Sequence, residues 1–455
     1  MNEPATAETL HRTAKYFMDS GQASSIEEAM TLLLQFRIYI AVGPEVTTSR
    51  DHQIALLTLV NAARRSILGG VHVLNPPECE VLVPLVAAST IRDAVLELGG
   101  AIATEREESV PIAIIGSVDL HEAPVFGWRV TWDGWRGGVT PVRDAQRLAE
   151  RASGGLGAVL AAAICAAEIF MFFTTRYPWA GRRAVGLSLW YPSRDWLVAD
   201  DTEPPISYLP SHLWLIGLGN LGQAYLWTLA CLPYADRTEL RLLLQDFDHL
   251  APSNESTSVL TYASLIGRKK TRAMAEWMEA RGFQVCIEER RFGTWTRWGP
   301  EDPAVALCGV DNAMARASLE AVGFGLVVES GLGAGPQGCL SFSLHTFPSS
   351  LSPSRLWSGV DSATNPDVLN QAAYHSNKHA HLDECGLAQL ASRTVGVPFV
   401  GLVAATLVIA ELLRRLHQGT AFELISGSLE ALDDVEVSET LSATYEFGHV
   451  AVMTP

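Results

Sequence analysis

The chain carries little charge for its length, and most of it is of one sign. Of 455 residues only 18% are charged, and 33 basic side chains against 50 acidic ones leave a net charge of −17. That balance argues against nucleic acid or an anionic membrane as the main partner, since either calls for a basic surface. Arg182-Arg183 and Arg290-Arg291 are too short to reverse it and read as solvated faces. Cysteine is also sparse. Its seven positions (79, 165, 231, 286, 308, 339 and 385) are odd in number and contain no Cys-x-x-Cys pair. This pattern gives neither a disulfide framework nor a tetrathiolate zinc site. Long apolar runs free of acid are absent as well. Gly154 to Phe173 and Val395 to Leu413 come nearest, but each holds small residues and a glutamate, Glu168 or Glu411, so both are expected as buried core helices rather than membrane spans. Met1 to Lys15 is polar with acidic residues, so no signal peptide is expected and the chain is read as cytoplasmic.

What is present is a globular composition, 48% hydrophobic with mean hydropathy +0.15. The length suggests two domains of roughly 200 residues each. A polar, proline-rich stretch from Asp200 to Pro210 sets the boundary, giving domains 1–205 and 206–455. Both alternate strand and helix, the signature of an α/β fold. The first half reads as helical over 1–40 and 51–67, with a strand at Val71 to Leu74, a helix at 84–98, strands at Pro111 to Ile115 and 126–132, and helix from Asp144 to Phe173. In the second half a strand at Leu213 leads through a glycine turn into helix 221–232, then strand 240–245, helix 268–281, strands 284–288 and 304–308, helix 313–322, and strands 325–329 and 338–345. A Ser-, Pro- and Asn-rich stretch, about 346–385, is expected as a long crossover loop before helix 397–417. The two halves share an order. Val71 to Leu74 reads as the counterpart of the Leu213 strand, with Asn75-Pro-Pro in place of glycines, and Gly154 to Phe173 as the counterpart of Val395 to Leu413. A degenerate copy would look like this.

The chemistry concentrates in the second half. Gly217, Gly219 and Gly222 lie between an apolar strand and an apolar helix, where a tight turn lets backbone amides approach phosphates. Downstream follow Asp246 and Asp248 at the end of the next strand, then Ser253-Asn254, Lys269-Lys270 and Asp311-Asn312. Alone the glycines are a weak signal; the ordered set points to ATP rather than a dinucleotide.

This set resembles the adenylation domain of the ubiquitin-activating superfamily, which includes the bacterial ThiF and MoeB proteins. The resemblance covers most of residues 205–418. Gly217-Leu-Gly-Asn-Leu-Gly222 matches the glycine turn, Asp246-Phe-Asp248 with Ser253-Asn254 the Asp-x-Asp and Ser-Asn segments, and Gly267-Arg-Lys-Lys270 the Gly-x-x-Lys segment. Asp311-Asn-Ala-Met-Ala-Arg316 matches Asp-Asn-x-x-x-Arg, and Val395-Gly-Val-Pro-Phe-Val-Gly401 is similar to the closing turn. The resemblance implies two Rossmann-like ThiF-type adenylation domains, the first inactive, with one active site for ATP and magnesium. By the same resemblance Asp246 takes ribose, Asn254 and Lys270 the phosphates, and Asp311 the magnesium ion. Arg50, in Ser49-Arg50-Asp-His-Gln, is the expected finger from the partner half. Cys385, between polar residues in the crossover loop, is the expected thioester nucleophile. No zinc is expected, because Ser392 stands where the second Cys-x-x-Cys pair would be. One departure stands out: the family follows Asn with Leu-x-Arg, and here Thr257 replaces that arginine, with Arg268 or Lys269 the expected substitute.

The activity so implied is ATP-dependent adenylation of the C-terminus of a ubiquitin-like protein, then a thioester passed to a ubiquitin-conjugating-type enzyme, in a bacterial pathway serving antiviral defence. Three rivals remain. Sulfur-carrier activation would need the same adenylation without the thioester. In a nicotinamide-dependent oxidoreductase Asp246, 24 residues after Gly222, would bind the NAD ribose, but Lys270 and Asp311-Asn312 would have no place. A scaffold with a degenerate ATP site is the third.

Overall fold

The alternation of strands and helices builds two sheets of matching order. The computed structural model describes residues 6–119, 126–152, 154–358, 370–375, 389–440 and 444–452. In the first half the strands are β1 (Arg37–Val42), β2 (Gly70–Leu74), β3 (Ala101–Ala103), β4 (Ile112–Ile115), β5 (Gly127–Asp133), β6 (Arg136–Pro141) and β7 (Val185–Ser188), in the sheet order β3-β2-β1-β4-β5-β6-β7. After β8 (Tyr208–Pro210) the second half runs β9 (His212–Ile216), β10 (Arg241–Gln245), β11 (Gln284–Glu288), β12 (Val305–Cys308), β13 (Leu326–Leu332), β14 (Ser341–Phe347), β15 (Phe422–Ser428) and β16 (Glu436–Glu439), in the order β11-β10-β9-β12-β13-β14-β15-β16. In both sheets the first five strands of the order are parallel and the following ones antiparallel. Strand β1 is therefore the topological equivalent of β9.

That equivalence corrects the sequence reading. Residues 1–40 are not helical throughout: α1 (Ala14–Asp19) and α2 (Ile26–Gln35) are followed by β1. A buried run, Ile38 to Ala41, belongs to that strand rather than to a continuing helix. The Val71 strand is β2, so its counterpart is β10, and Asn75-Pro-Pro stands opposite Asp246-Phe-Asp rather than opposite the glycine turn. Strands β6 and β7 are hidden in the sequence because Gly137 and Gly138 in β6 and Gly186 in β7 weaken the β pattern. Gly137 has a packing reason: a Cβ there would lie 2.3 Å from the carbonyl oxygen of Gly157. Helix α5, after α3 (Arg50–Ala63) and α4 (Ile91–Glu97), is Leu156–Phe173, with no helix among the described residues of 144–155.

The core sits where the halves meet. Helices α3 and α5 pack there with α6 (Asn220–Cys231) and, beyond α7 (Lys270–Glu279) and α8 (Ala313–Ala317), with α9 (Pro398–Leu416). Phe170 of α5 and Phe399 of α9 are 5.6 Å apart, and Trp227 of α6 donates to the Thr58 hydroxyl of α3 at 3.0 Å. Among the described residues α5 is the one helix long and apolar enough to cross a membrane, and 89% of it is buried inside the protein. Each of its fully buried large side chains contributes roughly 1.5–3 kcal/mol. The glutamates of the two apolar helices have partners inside the protein. Glu168 accepts from Trp128 Nε1 and Gly181 N, and Glu411 pairs with Arg414 and Arg415 and accepts from Phe422 N. The crossover stretch expected over 346–385 lies partly outside the described residues; of its described pieces, 346–358 and 370–375, the second is tied to α1, where Tyr374, Lys15 and Asp19 form a buried hydrogen-bonded triad.

Candidate nucleotide site

Parallel strands β9 and β12 are neighbours, while the chain leaves β9 for β10 on the other side. Such a switch point opens a crevice at the carboxyl ends of the strands, where ligands bind in open α/β sheets. The glycine turn stands there. Gly217 has φ +87°, the left-handed region that suits glycine. A Cβ on Gly222 would lie 1.9 Å from the Gly217 carbonyl oxygen, so that position admits nothing larger. Gly219 faces open space, with no atom within 4 Å of its missing Cβ.

Asp246 and Lys270 converge on this turn. Asp246, 9% exposed, accepts from Leu218 N at 2.7 Å and from Asp248 N at 2.8 Å, so one carboxylate pins the turn and the strand end together. Lys270 begins α7 and places Nζ 3.1 Å from Asp248 and 3.8 Å from Asp246. Asn254 has a structural duty: its side-chain oxygen accepts from Ala251 N at 2.9 Å and closes the turn over 252–256. Asp311 is exposed on the loop after β12, beside Val310, whose side chain lies 2.9 Å from a Cβ placed on Gly217. That loop is held from beneath, as Arg316 donates to the Val310 carbonyl at 2.8 Å and pairs with fully buried Glu329 at 3.0 Å. Among the described residues no group of three His, Cys, Asp or Glu could hold a metal ion by itself. A magnesium ion at Asp311 would complete its shell with phosphate oxygens and water, the usual arrangement for that ion in nucleotide sites.

The closing segment Val395 to Gly401 explains itself sterically. Asn220, just after Gly219, donates to the Val397 carbonyl at 3.1 Å, and a Cβ on Gly401 would lie 2.2 Å from the Asn220 side-chain oxygen. A Cβ on Gly396 would lie 2.6 Å from the Thr257 methyl and 3.4 Å from Arg12 Cβ.

The structure does not bring every expected residue here. Arg50 heads α3 and sits by the C-terminal end of α6, where its charge is felt by Cys231 and Arg237, at the opposite end of α6 from the glycine turn. Lys269 donates to the Phe247 carbonyl at 2.6 Å, and Arg268 pairs with Glu276, so neither faces Thr257. Cys385 lies outside the described residues. Arg12 was missed by sequence reasoning. Its backbone N–H donates to Ser256 at 3.0 Å and its Nη1 to the Thr394 carbonyl at 3.0 Å. Burial and the neighbouring Arg393 draw its guanidinium down to about 10, against the pull of Asp311. No local motif marks Arg12, because it reaches the site across 244 residues of chain.

The residues present fit a nucleotide. The turn leaves open approach at Gly219, cations stand at Lys270 and Arg12, and Arg12 Nε is buried without a hydrogen-bond partner. Two Rossmann-like sheets of one order, only the second carrying a glycine turn of this kind, define the E1-like class of enzymes. Family models make the membership particular: one described as the BilD N-terminal domain matches residues 37–189, and one described as the BilD C-terminal domain matches residues 209–419. The bacterial E1-like protein BilD of Collimonas sp. (strain OK412) is 50% identical over 453 residues, spanning 100% of this chain and 98% of its own. The chain belongs to the BilD family. Among solved structures, MccB of E. coli aligns with TM-score 0.33 at 10% identity over 50% of this chain and 64% of its own. TcdA (CsdL) aligns with TM-score 0.31 at 13% identity over 46% of this chain and 86% of its own. Likenesses this distant carry no argument about activity.

Proposed function

We propose that this chain activates the C-terminus of a ubiquitin-like protein with ATP and magnesium, then carries it as a thioester on Cys385 for a ubiquitin-conjugating-type enzyme in a cytoplasmic bacterial pathway. The observation that carries the reading is the convergence of the Gly217 turn, Asp246 and Lys270 at one switch point. In the first step a carboxylate oxygen of the partner forms a bond to the α-phosphorus of ATP, and the bond to pyrophosphate breaks. Lys270 and the amides of the turn stabilise the charge that develops on the phosphates, and Asp246 holds the ribose. In the second step the Cys385 thiolate forms the thioester and AMP leaves with the electron pair. The name of the BilD relative, an E1-like protein, supports the same class of chemistry.

Two measurements test this. ATP–pyrophosphate exchange with the candidate partner reports adenylation, and its absence overturns the whole reading. Intact mass without reductant, comparing wild type with Cys385→Ala, reports the carrier: a thiol-labile adduct lost in the variant is expected. Exchange without any adduct would leave adenylation of the sulfur-carrier kind.

A further inference from the structure

Helix α8, which follows Asp311, has a partner that no motif marks. The piece 346–358, at the head of the stretch read as the crossover, holds a helical turn, Pro353–Leu356, that rests against α8 and against the turn Ser318–Ala321 after it. Ser354 N donates to the Glu320 carboxylate at 3.1 Å, and Leu356 packs on the apolar cluster that contains Leu319 and Val322. The next residue, Trp357, sets its ring 4.6 Å from the guanidinium carbon of Arg316 and 5.4 Å, edge to face, from His345. Arg316 is confined elsewhere too. A Cβ on Gly331 of β13 would lie 2.8 and 2.9 Å from its two terminal nitrogens, so any side chain there would push the guanidinium out. Its Nε donates to the Val310 carbonyl at 2.8 Å and lies 3.0 Å from fully buried Glu329. The other carboxylate oxygen of Glu329 meets His345, the residue opposite it in β14, at 2.9 Å.

We propose that Trp357 is a positioning residue for adenylation: through Arg316 it fixes the Val310 carbonyl, and with it Asp311 beside the glycine turn. The proposal rests on the adenylation reading and extends it to a residue outside every matched segment. A guanidinium over an indole face is attracted by the ring's quadrupole, more strongly where water is excluded, and Arg316 is only 9% exposed. Without the ring, water and rotamer freedom reach the guanidinium. The charge-assisted contact with Glu329 is the stronger of its two polar contacts, so the bond to the neutral Val310 carbonyl is the first to loosen. Asp311 follows Val310 directly, and magnesium demands a nearly ideal octahedral shell, so a small displacement of that carboxylate is felt at the ion. The stretch that leads on to Cys385 thereby opens with the residue that steadies the Asp311 loop, and has a part in adenylation before the thioester step.

The test compares wild type with Trp357→Leu and Trp357→Phe, as the full chain in each case. Amide hydrogen exchange, which needs no ligand, is expected to be about fivefold faster over residues 309–317 in Trp357→Leu. Trp357→Phe, which keeps an aromatic face for the guanidinium, stays within about twofold of wild type, and β9 and α6 are unchanged in both variants. Wild-type exchange over 309–317 in Trp357→Leu would overturn the proposal, and so would an equal rise in β9 and α6, the mark of a general loss of stability. Equilibrium binding of ATP across a magnesium titration supplies the second readout. Trp357→Leu is expected to need about fivefold more magnesium for half-maximal ATP binding, with ATP affinity in EDTA changed by less than about twofold. An equal loss with and without magnesium would overturn the assignment to the Asp311 loop. Wild type that binds no ATP would instead overturn the adenylation reading, and the exchange rates alone then decide whether Trp357 holds the loop.

Discussion

The two switch points of this molecule have the same topology and opposite contents. In the second half the turn after β9 leaves space at Gly219, and the facing acid, Asp246, is drawn aside to hold the turn's own backbone. In the first half the turn after β1 carries Glu45, whose two carboxylate oxygens accept from Ser117 N, on the loop after β4, at 3.1 and 3.0 Å. A Cβ on Gly43 or Gly116 would lie 2.3 or 2.6 Å from that carboxylate. The first crevice therefore contains its own anion, where the second holds open approach and cations. At the end of β2 stands Asn75, donating to the Thr104 carbonyl, where β10 ends in Asp246. What the comparison teaches is that one fold yields a site or a strut according to whether its anion-binding turn is filled from within.

The first half is not idle in this arrangement. Arg65, buried at the end of α3, donates to the carbonyls of Glu255, Val259 and Thr261, and Asn61 donates to Val259 as well. The loop beside the candidate phosphate site is thus held by the other half of the chain. The sharpest way to break the asymmetry is Lys270→Ala, expected to cut ATP–pyrophosphate exchange by about 100-fold with the fold intact by circular dichroism. Exchange near the wild-type rate would remove Lys270 from the site. Next in size is Arg65→Met, which orphans the Glu255 and Thr261 carbonyls of the loop and is expected to cost about 3 kcal/mol. Urea unfolding measures that loss, and an unchanged midpoint would show that the loop holds itself.

Most of the second half was legible because its signals are local. Strand, glycine turn, Asp246 and Lys270 follow one another within a few elements, and the structure gives β9, α6, β10 and α7 within two residues of expectation at most boundaries. The first half was harder. Strand β1 follows α2 with only Phe36 between them, so its apolar residues were read as more helix. That error moved every later counterpart by one strand and set Asn75 against the wrong partner. Arg12 was illegible for another reason: its role depends on the fold bringing the N-terminal segment to Gly396, which no spacing encodes. The steric logic of Gly396 and Gly401 was equally hidden, since their neighbours Thr257 and Asn220 lie far back in the chain.

A smaller effect sharpens the comparison from the filled side. Burial opposes ionisation of Glu45, but the hydrogen bonds from Ser117 and the charge of His52 outweigh it and hold the carboxyl near 2. A carboxyl depressed in the folded state contributes stability that is fully present above its unfolded value of about 4.5 and is lost as pH falls toward 2. Glu45→Gln is expected to cost about 1 kcal/mol at neutral pH and to flatten the acid limb between those values. Superimposable acid limbs would show that the first crevice does not depend on its internal anion.

The smallest expected effect concerns Arg50, and it separates two ways of reading a finger from the partner half. By sequence position Arg50 is the natural choice, ahead of the second strand and next to a helix-capping serine. By structure it is the first residue of α3, at the end that faces Cys231, while the opposite end of α3, at Asn61 and Arg65, meets the candidate phosphate loop. Helices α3 and α6 thus place Arg50 a full helix length, ~18 Å for twelve residues, from the glycine turn. Over that distance an exposed-to-partly-buried charge is screened at physiological salt, whose Debye length is about 8 Å. Arg50→Ala is accordingly expected to change Mg-ATP affinity by less than about twofold, measured by equilibrium binding to the full chain. A tenfold loss would mean that the halves move on binding so that α3 presents its other end, and the asymmetry of the two switch points would then belong to one conformation only.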